Sequence, residues 1–122
     1  MNIKPKTMFD FQKLEVYQKS KRFYVDLRGM ISDSKLEPFI KNQLSRAAFS
    51  VPLNLAEGSG KFTKADRKNY FTIARASVFE CVAILDILNE EQEILESVYQ
   101  SQLKKADELS RILYTMIKNL QS

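Results

Sequence analysis

Apolar residues recur along this chain at spacings of three and four, the repeat of a helix with one buried stripe. Over residues 11–31, Val16, Ser20, Phe23, Leu27 and Met30 follow that spacing, and Tyr17, Tyr24 and Ile31 widen the stripe. Gly29 and the polar run at residues 32–35 mark its end. A second helix is expected over residues 37–57, with Pro38 in its first turn, where a proline nitrogen loses no helix bond. Ile40, Leu44, Ala47, Val51 and Leu55 form its seam, and Gly58 is expected to close it as a left-handed C-cap. A third helix begins after Thr63, where Thr63 and Asp66 resemble a capping box; Ala74, Val78, Cys81, Leu85 and Leu88 carry its stripe. A fourth is expected over residues 91–120, with Glu90, Glu91, Glu93 and Glu96 crowding its start, where the helix dipole favours negative charge. Ile94, Val98, Leu109, Ile112 and Met116 mark its buried side. No strand alternation or internal repeat interrupts this series. Short connections make neighbouring helices antiparallel. The expected fold is all-α: one domain over residues 1–122, an antiparallel up-and-down four-helix bundle, with residues 1–10 as a flexible segment or N-terminal arm.

The two middle segments depart from the one-stripe pattern. At about 100° per residue, the seam covers one face of the second helix. Phe39, Phe49 and Leu53 lie on another face, and Ala48, Pro52 and Ala56 take much of the remainder. From Ser45 to Ala56 the single charge is Arg46; from Ala76 to Leu85 it is Glu80. A helix that is apolar nearly all round is buried nearly all round. Two such helices in a bundle of 122 residues carry more apolar surface than one subunit hides, so a homo-oligomer is expected. The alternative is a monomer with two unusually central helices. Pro52 in a helix interior costs about 3 kcal/mol and leaves the Ala48 carbonyl without its donor, so the helix bends or breaks there.

Polar side chains gather in the same place. Arg46, Ser50, Asn54 and Glu57 fall within about 80° of one another on the second helix. Ser77 and Glu80 stand on the third. A hairpin turning near residue 60 sets Arg46 and Glu80 about one turn apart, and an unpaired buried charge costs several kcal/mol. The six residues are therefore expected to form a structural polar network with Arg46 paired to Glu80. Glu57 and Glu80 also invite a carboxylate-bridged metal, but the bundle form of that site uses Glu-x-x-His pairs, and the chain has no histidine.

Composition narrows the chemistry. The chain is 44% hydrophobic and 28% charged, the balance of a folded domain. Without histidine it lacks the commonest general base and metal ligand. Its one cysteine, Cys81, occupies a seam position and reads as a small core residue. No nucleophile–base pair, metal set or phosphate loop emerges, so neither an enzyme nor a cofactor is expected, and no catalytic or metal-binding residue is assigned. Net charge is +4, and residues 1–50 hold ten Lys and Arg against five Asp and Glu. Lys61, Lys64, Arg67 and Lys68 form the candidate nucleic-acid-binding cluster; repeated around an oligomer they would engage phosphates without reading sequence. The plain alternative is a solvated helix start. No apolar run of about 18 residues and no secretory leader is present, so a cytoplasmic protein without a membrane partner is expected.

The segment "QLSRAAFSVPLNLAEGSGK" resembles the four-helix-bundle family of proteins encoded in intervening sequences of bacterial 23S ribosomal RNA genes. Gln43, Arg46, Ala47, Ser50, Asn54, Leu55, Ala56, Glu57 and Gly58 carry the likeness. Phe11, Leu14, Val16, Tyr17 and Gln18 look like the family's first helix; Phe71, Ala74, Ser77 and Glu80 look like its third. Pro52, Leu53 and Ala76 depart from the usual pattern. The resemblance implies an antiparallel bundle assembling into a homo-oligomeric ring, commonly a pentamer, in a family whose biochemical role is largely undefined. Relatives that accompany diversity-generating retroelements form basic barrels that bind nucleic acid and a reverse transcriptase. Two readings of function follow. One is a homo-oligomeric, non-enzymatic bundle that binds RNA through a basic surface. The other is a scaffold whose partner is another protein.

Overall fold

The computed structural model describes residues 9–120. After a short 3-10 helix at Asp10–Lys13 come four α-helices: α1 Glu15–Ser32, α2 Pro38–Ser59, α3 Lys64–Glu90 and α4 Glu96–Asn119. There is no strand among the described residues. Most of the expected N-terminal arm over residues 1–10 lies outside the described residues.

Side-chain pairs set the direction of each helix. Gln43 meets Glu80 and Ser50 meets Ser77, so α2 and α3 run in opposite senses. Lys19 ion-pairs with Glu108, and Lys105 with Asp26 at 2.7 Å, which makes α4 antiparallel to α1. Arg75 Nε donates to the Ser110 carbonyl at 3.2 Å, and Tyr99 Oη donates to Asp86 at 3.0 Å between α3 and α4. Tyr24 packs on Phe49 with ring centroids 5.0 Å apart between α1 and α2. The bundle is thus up-and-down, each helix touching two neighbours. Its core takes the expected stripes of the first three helices: Phe23 and Leu27 from α1, Leu44, Val51 and Leu55 from α2, and Val78, Cys81 and Leu85 from α3. On α4 the buried line runs through Gln102, Ala106, Leu109 and Leu113; of the expected stripe only Leu109 is buried, while Val98, Ile112 and Met116 are half-buried and Ile94 precedes the helix.

The ends of the helices correct the expected boundaries. α1 continues through Gly29 to Ser32, because Ile31 still belongs to the buried stripe. α2 passes through Pro52 unbroken, and Pro52 is itself buried. Gly58 is not a left-handed cap. None of the described glycines has a positive φ, α2 runs to Ser59, and Gly60 caps it at φ −86°. The reason for glycine at position 58 is space. A Cβ there would lie 2.7 Å from Phe71 Cε1 and 2.9 Å from Tyr70 Cβ, so only glycine lets α2 and α3 approach this closely.

The reversal after α3 corrects the expected fourth helix. The stripe through Leu85 and Leu88 carries α3 to Glu90, and α4 starts only at Glu96. Gln92 sits in the left-handed region at φ 58°. Its amide donates to the Asn89 carbonyl at 3.0 Å, and the Glu93 amide donates to the Leu88 carbonyl at 2.9 Å. This pair of bonds is a Schellman motif, with glutamine where glycine is usual. Glu90, Glu91 and Glu93 therefore belong to the end of α3 and the turn, leaving Glu96 alone in the first turn of α4.

Candidate functional site

The polar network forms in part. Ser77 Oγ donates to Ser50 Oγ at 2.8 Å, and Asn54 Nδ2 donates to Ser50 Oγ at 2.9 Å and to the Ser50 carbonyl at 2.8 Å. Glu80 is engaged by Gln43 Nε2 at 2.7 Å rather than by Arg46. Among the described residues, no ion pair includes Arg46 or Glu57. Two causes explain the missing pair. Arg46 lies about 60° farther round α2 from the α3 side than Gln43 does. Arg46 and Glu80 are also exposed in the single chain, so water solvates both and neither needs the other.

Outside this ladder the surface is apolar. Phe39, Phe49 and Leu53 on α2, and Ile73 and Ile87 on α3, stand in water on the side of each helix away from the core. Ala76 and Ala83 are exposed between the two isoleucines. These are the residues that make the middle helices apolar all round. The fold leaves them partly exposed, Phe49 with one side on Tyr24, rather than burying them within one chain.

Cys81 contributes no nucleophile. Burial, and then the neighbouring charge of Glu80, push its thiol up to about 12, so it stays protonated. Among the described residues, no group of three or more His, Cys, Asp or Glu side chains could hold a metal ion. No helix is long and apolar enough to cross a membrane among them.

The four basic candidates gather at the tip where α2 turns into α3, but they do different work. Arg67 Nε donates to the Lys61 carbonyl at 2.8 Å, and its Nη2 donates to the Phe62 carbonyl at 3.3 Å. It also lines a cleft of about 640 Å³ between the 3-10 helix, the turn and the end of α4. Arg67 is thus a strut of the turn. Lys61 lies over the Tyr70 ring, its Nζ 5.0 Å from the centroid. Lys64 is exposed and Lys68 half-buried, one turn apart on α3. The expected N-cap is present: the Asp66 amide donates to Thr63 Oγ1 at 3.1 Å.

One residue of this tip was not among the sequence candidates. Phe62 is 96% exposed, the highest among the exposed large hydrophobic residues. Its only signal in the sequence is an aromatic side chain inside the polar run "GKFTK". A second unforeseen cluster lies on α3 and α4, where the Arg75 guanidinium is 4.7 Å from the Phe79 centroid and 5.4 Å from that of Tyr114.

The model of the 23S rRNA-intervening sequence proteins matches residues 12–115. The chain belongs to this family. A solved relative of the intervening-sequence fold is a protein of unknown function from the S23 ribosomal protein family of Bacteroides thetaiotaomicron VPI-5482. The two share 24% identity and superpose with a TM-score of 0.80, covering 84% of this chain and 98% of that one; at this identity the likeness is one of fold. None of the curated proteins compared with the chain matches it. Several residues that carry the family resemblance meet at one place. Gln43, Ser50 and Asn54 on α2, and Ser77 and Glu80 on α3, form the polar ladder, and Gly58 packs on Phe71 below it. In this member of the intervening-sequence family the signature therefore specifies how α2 lies on α3.

Proposed function

We propose that this chain is a non-enzymatic, homo-oligomeric bundle protein that packs copies of itself through the outward face of α2 and α3 and meets RNA with its basic tip. The carrying observation is that Phe39, Phe49, Leu53, Ile73 and Ile87 share that face and stand in water. Fully burying such a side chain is worth about 1.5–3 kcal/mol. Each is already partly covered, so covering the rest returns roughly 1 kcal/mol apiece. In a ring the α2 side of one copy meets the α3 side of the next, so each contact covers one set of these residues and returns on the order of 5 kcal/mol, at the low end of what association costs. Family resemblance favours a closed ring, a pentamer, in the cytoplasm. Lys61, Lys64 and Lys68 supply the positive tip.

Light scattering after size exclusion, with absorbance at 260 and 280 nm on the same peak, tests both halves. A mass several times 14.2 kDa is expected, and Leu53→Glu is expected to lower it. A folded wild-type species that stays at 14.2 kDa at micromolar concentration refutes the assembly. RNA added at low salt should shift the peak; an unshifted peak refutes the RNA half.

A second reading is a scaffold for another protein. The Arg75–Phe79–Tyr114 cluster favours it, because Arg and aromatic side chains dominate protein–protein hot spots. It predicts a nucleic-acid-free oligomer with a co-purifying protein that Phe79→Ala releases.

A further inference from the structure

We infer that Phe62 is a stacking platform for an unpaired RNA base, with Lys64 and Lys68 holding the flanking phosphates. This rests on the RNA reading above and narrows it to single-stranded or looped RNA. The first ground is exposure held in place. An aromatic ring 96% exposed forgoes its hydrophobic gain, and a loose turn would let it fold back onto the protein. This turn is braced on several sides. The Lys61 amide donates to the Gly58 carbonyl at 3.1 Å, the Arg67 amide to the Thr63 carbonyl at 3.1 Å, and the Arg67 guanidinium to the carbonyls of Lys61 and Phe62. Arg67 thus spends its donors on presenting the ring.

The second ground is charge. Lys64 and Lys68 follow Phe62 in the first two turns of α3, and Lys61 precedes it. Asp66, the one acid between them, lies about 160° round the helix from either lysine. An exposed ring with lysines on either side of it in the same turn and helix start suits a ligand with a flat π-face and a negative backbone. That is the composition of single-stranded nucleic acid, where stacking on an aromatic side chain is worth about 1–3 kcal/mol per base. A duplex keeps its bases stacked on one another and offers the ring nothing.

The test is fluorescence anisotropy with a labelled oligouridylate of about 12 nucleotides and with a hairpin-free RNA duplex. Phe62→Ala should weaken single-strand binding about tenfold and leave duplex binding and the salt dependence unchanged. Phe62→Trp should restore the affinity. The double variant Lys64→Ala/Lys68→Ala should flatten the slope of log K against log salt by about 1.4 for the single strand. Single-strand binding by Phe62→Ala within twofold of wild type overturns the stacking role and leaves the RNA reading standing. A drop in oligomer mass in Phe62→Ala overturns it as well, because the ring would then belong to a contact between copies. Wild-type protein that binds neither probe overturns the RNA reading, and the stacking role with it.

Discussion

Gly58→Ala and Gly29→Ala make the same chemical change on two helices and should move stability in opposite directions. In a helix interior, alanine is favoured over glycine by about 0.5–1 kcal/mol. At Gly29 nothing lies within 4 Å of the added methyl group, so α1 should gain that amount in full. At Gly58 the methyl would sit 2.7 Å from Phe71 Cε1 and 2.9 Å from Tyr70 Cβ, where ordinary contact is 3.4–4 Å. The Tyr70 Cβ is fixed to its backbone, and Phe71 is buried, so relief requires α2 and α3 to separate. Overpacking of this kind costs about 1–3 kcal/mol. The net effect of Gly58→Ala is a loss of about 1–2 kcal/mol. For a chain of this length that lowers the midpoint of thermal unfolding by about 3–10 °C, while Gly29→Ala raises it by about 2–5 °C. Far-UV circular dichroism measures both, at one fixed protein concentration because assembly shifts the midpoint. A Gly58→Ala protein as stable as wild type would refute the close-approach explanation.

Two further substitutions probe the interior. Gln102 is 6% exposed and its Oε1 finds no partner among the described residues, so Gln102→Leu should stabilise by about 1–3 kcal/mol in urea unfolding; a loss of stability would mean the acceptor is satisfied. Cys81, with its thiol raised from 9.0 to about 12, should resist a thiol reagent until the chain unfolds. Between those pH values the unfolded thiol has lost its proton and the folded one has not, so the unfolded state binds fewer protons. Stability therefore falls as pH rises through that window, by up to about 1.4 kcal/mol per unit from this group. Urea midpoints of wild type and Cys81→Ala at about pH 8 and pH 10 should show the wild type losing more; equal losses would count against the burial of the thiol.

The helices were legible because each seam repeats at three and four over many turns, which a side chain exposed or buried by chance cannot mimic. Their ends were less so. Gly58 reads as a cap from its place before "SGK", yet its need for a missing Cβ is defined only once Phe71 and Tyr70 lie across from it. The acids at residues 90–93 read as a helix start because the reversal uses Gln92 in the left-handed region, where no glycine announces it. The polar ladder shows the same limit. Spacing puts Arg46, Ser50 and Asn54 on one side of α2, but which of that side's residues faces α3 depends on the rotation of the helix about its axis. That rotation selects Gln43 for Glu80. At the tip, four neighbouring cations were visible in the sequence, while the carbonyls that occupy Arg67 were not.

The apolar face lies along the sides of α2 and α3 and the basic tip at one end, so in the proposed ring assembly and ligand binding would be coupled. The far end of the bundle, where α1 turns into α2 and α3 into α4, carries Asp33, Glu37, Glu90, Glu91, Glu93 and Glu96 against Lys35 and Lys41. Each subunit is therefore polarised along its length. Copies related by rotation about an axis parallel to the helices, as in the ring proposed above, gather every basic tip on one rim and every acidic tip on the other. A two-fold dimer with antiparallel bundles would instead set basic against acidic and cancel the field. Such a ring would be opposed by repulsion on both rims, which burial of the exposed apolar side chains of α2 and α3 would have to exceed. Salt screens that repulsion and steadies the ring, while it weakens any hold on phosphates. An RNA strand laid on the basic rim neutralises the same repulsion. If both proposals hold, RNA binding would favour assembly, and by linkage assembly would raise affinity by the same factor.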